Sequence, residues 1–265
     1  MPPDASALIG AGDPPAVEIV RPEGKAPVLV TCDHASRAVP RALGRLGLGE
    51  RELALHIGWD IGAGAVTRDL ARLLDAPAIL TGYSRLVIDC NRDLEDPTSI
   101  PAVSDGVAVP GNREISAAER ARRVETLFRP YHRAIEQAID GFIARGVHPA
   151  VLSIHSFTPS MNGIDRPWHV GVLWNKDPRI PVPLMAALRR EHGLVVGDNE
   201  PYSAREPAGY TVRTHAENRG LPHMAVEIRQ DLIASPAGTR EWGERLARAL
   251  TPILEDPGLY HEKHY

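Results

Sequence analysis

The run V-L-S-I-H-S-F at 151–157 decides how this chain is read: an apolar stretch ending in His155, with Ser153 and Ser156 around it. Upstream, V-L-V-T-C-D-H-A-S at 28–36 is a second apolar run that ends in a histidine, His34. Downstream, M-A-V-E-I-R at 224–229 is a third, interrupted by Glu227. An open α/β sheet collects its ligands outside the carboxyl ends of its strands, so a ring or carboxylate at the end of a buried strand marks an active site. Two histidines and one acid delivered in this way point to a metal-dependent hydrolase.

Around these runs, strands alternate with helices, the pattern of a mixed, mainly parallel sheet covered on both faces. Strands are expected at 27–32, 78–81, 86–90, 150–155, 169–174, 194–196 and 224–228. Apolar spacing predicts a helix over 62–74, a long one from Ser116 to Phe142 kinked at Pro130, and two more over 182–192 and 238–254. Ser116-Ala-Ala-Glu119 is a capping-box signature for the long helix. The Pro- and Gly-rich residues 1–25 read as a loosely ordered arm, and 26–265 as a single domain. The aperiodic stretch 93–113 is long enough to expect a lid or rim.

Composition removes several classes of function. With 265 residues, 43% hydrophobic and 24% charged, the chain is globular rather than disordered. A net charge of −4 offers no basic face for nucleic acid, and of the 30 basic residues only Lys25, Lys176 and Lys263 are lysines. Cys32 and Cys90 both fall in core-like runs, which excludes a disulfide framework and fits a reducing compartment. No signal-like segment and no apolar stretch of about 18 residues is present, so the expectation is a cytoplasmic protein without a membrane partner. No feature sets an oligomeric state. Phosphate-loop, dinucleotide and nucleophile-elbow patterns are absent.

Hydrolysing an amide at neutral pH needs an activated water, a group to stabilise the oxyanion, and a proton shuttle. Zinc with three protein ligands and one open position supplies the first two. His34 and His155 suit it as ligands, the plain alternative being hydrogen-bonded core histidines. Asp60, in H-I-G-W-D-I-G-A, is a third ligand or else the N-cap of the helix that follows, with His56 competing for the ligand role. Asp33 could orient the ring of His34. A lone carboxylate in a buried strand is costly without a partner, so Glu227 reads as a general base or as half of an ion pair with Arg229. Arg85 and Asn91-Arg92 bracket an apolar run and suit a substrate carboxylate. His215 could donate to an oxyanion or cap a helix.

Taken together, C-D-H-A-S at 32–36, D-I-G-A at 60–63, S-R-L-V-I-D-C-N-R at 84–92, I-H-S-F-T-P at 154–159, D-N-E-P-Y at 198–202 and V-E-I-R at 226–229 resemble the N-formylglutamate amidohydrolase family. That family is similar in fold to zinc carboxypeptidases and aspartoacylases. The resemblance implies a three-layer αβα sandwich of phosphorylase/hydrolase-like type. It also implies a zinc ligand at His155, carboxylate recognition by Asn91 and Arg92, and a base at Glu227. The carboxypeptidase pattern places a Glu three residues after the first histidine; here that place is Arg37, so Asp60 is taken as the acidic ligand.

The expected protein is thus an amidohydrolase with one divalent metal, zinc, on His34, Asp60 and His155. Glu227 and His215 act in catalysis, and Arg85, Asn91, Arg92, Ser156 and Tyr202 bind a small N-acyl acidic amino acid such as N-formylglutamate. Rival readings are a zinc peptidase or deacylase on the same scaffold, and a catalytically silent binding protein for acidic metabolites.

Overall fold

The structure, a computed structural model, describes residues 7–206 and 209–265. Seven strands form the central sheet: β1 (Val17–Val20), β2 (Val28–Cys32), β3 (Ala78–Thr81), β4 (Ala150–Phe157), β5 (Val170–Leu173), β6 (Val196–Asp198) and β7 (His223–Arg229). Their spatial order is β1-β3-β2-β4-β7-β5-β6. The centre, β3-β2-β4-β7, is parallel, as is β5 with β6, whereas β1 runs antiparallel to β3 and β5 antiparallel to β7. The central strands β2, β3 and β4 are buried throughout, which is why they read as nearly continuous apolar runs.

Alternation along each strand divides the residues between two cores. Val28, Val30, Cys32, Leu152, Ile154, Val226 and Ile228 face α1 (Ala63–Leu74), α4 (Pro181–Leu188) and α5 (Pro236–Leu254). Leu29, Ile79 and Val151 face α3 (Arg129–Ile143), together with Leu86, Val87 and Ile88. On this second face the carboxyl-terminal halves of the strands turn polar, with Thr31, Ser153, His155 and Glu227 buried in place of aliphatic side chains. The fold is the three-layer αβα sandwich with a mixed, mainly parallel sheet.

Four expectations need correction. The arm is anchored along its described length: Leu8 is 1% exposed and Val17–Val20 forms the edge strand β1, because its apolar side chains cover the end of the second core. The first six residues of the expected arm lie outside the described residues. The run 86–90 is not a strand. Its apolar side chains are buried, but loop and side-chain groups replace a ladder: Asn112 Nδ2 donates to the Leu86 carbonyl at 2.8 Å and Arg123 Nη1 to that of Val87 at 3.0 Å.

The long helix is divided into α2 (Ala117–Arg123), a π-helical turn at Val124–Phe128, and α3. Pro130 follows directly on the π-helical turn, in the first turn of α3. Finally, α4 ends at Leu188 and the following strand begins at Val196, two residues later than its apolar run suggests. The Ser116 cap forms, its Oγ accepting from the Glu119 N–H at 3.1 Å, while the Glu119 carboxylate turns to Arg122 and Arg123.

Arg123 is 1% exposed and fastens the loop of residues 85–112 to α2 through Glu119 (2.9 Å), Asn112 Oδ1 (2.7 Å) and the Val87 carbonyl (3.0 Å). Removing one member of a buried ionic network leaves the others unpaired, at about 3–5 kcal/mol. Arg123→Met is therefore expected to lower stability by about 3 kcal/mol in urea unfolding. A change below about 0.5 kcal/mol, the range of ordinary surface substitutions, would show that the loop is held by its apolar contacts alone.

Candidate active site

His34 follows β2, His155 lies on β4, and Asp60 precedes α1. The turn between Asp60 and α1 depends on Gly62, whose φ of +81° is left-handed and whose added Cβ would stand 2.2 Å from the Ile233 carbonyl oxygen. Gly62, not Asp60, is the N-cap of α1, which leaves the Asp60 side chain available. Its Oδ2 lies 3.2 Å from His34 Nδ1 and 2.8 Å from His155 Nδ1. One ligand-type atom from each of these three buried residues falls within 4.8 Å of the others.

The far nitrogen of each ring meets a carboxylate: His34 Nε2 lies 2.7 Å from Asp89 Oδ1, and His155 Nε2 lies 3.1 Å from Asp33 Oδ2. Asp33 thus orients His155 rather than its neighbour His34, because the strand end turns the two side chains apart. Asp33 Oδ1 also accepts from Tyr131 Oη and Thr211 Oγ1, both at 2.7 Å. Burial would raise the Asp33 carboxyl, but the hydrogen bond and charge of His155 hold it down to about 2. Burial disfavours charge on both rings, yet the surrounding carboxylates raise their pKa values, with Asp89 and Asp60 acting on His34 and Asp33 and Asp60 on His155. Surroundings this negative also fit a divalent cation, with each Nδ1 facing the open side and each Nε2 held by an acid.

Glu227 is paired in register with His155 across the β7–β4 ladder and lines the same cavity. It is 7% exposed, and among the described residues its Oε2 has no hydrogen-bond partner. The ion pair with Arg229 does not form: Arg229 pairs instead with Asp231 at 2.8 Å. Burial pushes the Glu227 carboxyl up to about 7 against the pull of His155, and the Asp60 charge pushes it the same way.

The cavity encloses about 550 Å³. Arg85, Asn91, Arg92, Ser156 and Tyr202 all line it, as does His56. His56 stands outside the three-residue cluster, with its Nε2 3.0 Å from Asp105, in the turn between the short paired strands at 103–104 and 107–108. Arg85 is drawn to Asp89, donating to Oδ2 through Nη2 at 2.6 Å and Nε at 3.0 Å. Asn91 Oδ1 accepts from the Tyr210 and Thr211 N–H groups at 2.8 and 3.0 Å, which joins two walls of the cavity. Ser156 Oγ donates to the Ile61 carbonyl at 2.9 Å, and Tyr202 Oη accepts from Arg166 at 3.1 Å.

His215 is not brought to the cavity. Its Nε2 lies 2.9 Å from His132 Nδ1, and His132 Nε2 donates to the Cys90 carbonyl at 2.9 Å. Burial lowers the pKa of both rings, that of His132 to about 4, so they form a neutral structural pair. Sequence reasoning missed Asp89 as the partner of His34. The available signal was an acid directly before Cys90-Asn91-Arg92, obscured by the expectation of a strand there.

The N-formylglutamate amidohydrolase family description matches residues 26–234. An N-formylglutamate deformylase of Pseudomonas putida is 30% identical over 135 residues, which make up 44% of this chain and 47% of the relative, so the match spans about half the relative's length. The crystal structure of a gene product of Agrobacterium tumefaciens superposes with a TM-score of 0.88 at 34% identity, covering 94% of this chain and all of that one. That of N-formylglutamate amidohydrolase from Ralstonia eutropha JMP134 has a TM-score of 0.72 at 20% identity over 91% of this chain and 97% of its own, a likeness of fold. No helix among the described residues is long and apolar enough to cross a membrane.

The raised Glu227 pKa has a sign that can be measured in chelator-treated protein. Between its ordinary value of 4.5 and about 7, the folded state holds a proton that the unfolded state releases, so stability falls as pH rises through that window. The loss is on the order of 3 kcal/mol, and Glu227→Gln should abolish it, so that the variant keeps between pH 4.5 and pH 8 the stability that the wild type loses. Parallel stability–pH curves for the two proteins would place the Glu227 carboxyl in a solvated setting instead.

Proposed function

The chain belongs to the N-formylglutamate amidohydrolase family, and from that premise we propose that it hydrolyses the amide of a small N-acyl acidic amino acid, such as N-formylglutamate, with one zinc ion held by His34, Asp60 and His155. The observation that carries the reading is the unpartnered Glu227 Oε2, buried beside two histidines and an aspartate and aimed into the same cavity. Such a carboxylate is expensive unless it has a task in the reaction. When bound, zinc would polarise the acyl carbonyl and lower the pKa of water.

Glu227 takes a proton from the attacking water at Oε2 and returns it to the departing nitrogen, a cycle that suits a carboxyl with a pKa near neutrality. Asp89 and Asp33 keep the two imidazoles in the tautomer that presents Nδ1 to the ion. Arg85 contributes chiefly by orienting Asp89, while Arg92 and Asn91 form the wall that receives the substrate carboxylate. Tyr202 and Ser156 also line the cavity.

Purified protein is expected to carry about one zinc-class ion per chain by elemental analysis. Glu227→Gln should retain the ion while kcat falls by at least about 10²-fold. A fully active metal-free protein, or near-wild-type turnover of the variant, contradicts the assignment.

Arg92→Ala should reduce kcat/KM for N-formylglutamate far more than for its neutral diamide, because a charge-assisted bond is lost only with the acid. Equal losses on the two compounds would remove Arg92 from carboxylate recognition.

A further inference from the structure

The cavity continues beyond Glu227. Positions 223, 225 and 227 of β7 share one face of the sheet, and His223, Ala225 and Glu227 all line the cavity. Four residues of strand span about 13 Å, so the floor runs roughly that far from the carboxylate. At its far end Asn175 Nδ2 donates to Glu217 Oε1 at 3.1 Å, and both residues line the cavity. Leu173 stands opposite Ala225 across the antiparallel β5–β7 pair, with Trp174 following it, and Val212 lines the slot as well.

Ala225 is the telling position. From Leu221 to Ile228 it is the one half-buried residue among buried ones, although it lies in a central strand. Its methyl leaves the floor open where a larger side chain would fill it. A formyl group ends in hydrogen and uses none of this length. N-formylglutamate has about twelve non-hydrogen atoms, whereas cavities of several hundred Å³ ordinarily enclose drug-sized ligands. The Arg85–Asp89–His34 chain lies toward β2, while the slot runs on the β7–β5 side of the cluster.

We propose that this slot is an acyl-chain subsite, and that the preferred substrates are N-acyl acidic amino acids whose acyl group carries several carbons beyond the carbonyl. The inference rests on the hydrolase reading above. In the reaction one water supplies its oxygen to the acyl carbonyl carbon, the C–N bond breaks, and a proton from that water goes to the leaving nitrogen. The products are the chain carboxylate and the free amino acid. Ala225 determines chain length and takes no part in the bond-breaking step.

The test measures kcat/KM of the metal-replete full chain on N-formyl-, N-acetyl-, N-butyryl- and N-hexanoyl-L-glutamate, for wild type and Ala225→Leu, with Ala225→Val as the milder variant should the first not fold. Wild type should favour the hexanoyl over the formyl compound by at least about tenfold, the scale on which added methylenes discriminate. Ala225→Leu should lose at least about tenfold on the hexanoyl compound and less than about twofold on the formyl one. Preference for the formyl compound, or equal losses on both, overturns the subsite. If wild type cleaves none of the four, the hydrolase reading fails. The slot is then judged by thermal shift: it survives if N-hexanoyl-L-glutamate raises the wild-type melting temperature above the rise given by N-formyl-L-glutamate and Ala225→Leu abolishes the difference, and it falls otherwise.

Discussion

A single carboxylate oxygen, Asp60 Oδ2, lies between the Nδ1 atoms of His34 and His155, and the polar half of the protein is arranged around that contact. Two buried rings can converge on one oxygen only if their other nitrogens are held. That requirement explains Asp89 and Asp33, then Arg85 behind Asp89, and Tyr131 and Thr211 behind Asp33. Each added carboxylate is costly at such depth unless its bonds are complete, and among the described residues Glu227 is the one buried acid left with an unpartnered oxygen.

The sheet makes this affordable in structural terms by separating two kinds of burial. One face is aliphatic along its whole length and closed by α1, α4 and α5. The other changes from Leu29, Ile79 and Val151 near the strand starts to Ser153, His155 and Glu227 toward their ends. The apolar end supplies hydrophobic stabilisation, and the polar end gathers the buried ionisable side chains. The reversal of β5 matters here, because its antiparallel pairing brings Leu173 beside Ala225 and extends the cavity along β7.

Much of the fold was legible because strands buried on both faces give continuous apolar runs, as V-L-V-T-C and V-L-S-I do, and because His34, His155 and Glu227 lie inside or directly after such runs. Asp60 was legible only as one of two alternatives, since an aspartate before a helix reads equally as a cap; Gly62 takes the cap position, and the Asp60 side chain turns to the two histidines. Leu86-Val-Ile-Asp-Cys has the hydropathy of a strand but packs as an irregular segment, because Asn112 and Arg123, more than twenty residues away, satisfy its carbonyls. His215 could not be placed from sequence: its role depends on His132, on a helix far earlier in the chain.

Asp33 gathers bonds from Tyr131, His155 and Thr211, partners 98, 122 and 178 positions further along the chain. Contacts of such high order close late in folding, after the loops between them have lost their entropy. A chain lacking the segment around Thr211 therefore has both histidines of the cluster but not the full set of bonds that fixes Asp33 behind His155. On the proposed reading, ion capture would be coupled to completion of the tertiary fold rather than to any local motif, and the ion would act as a late lock on a domain already assembled.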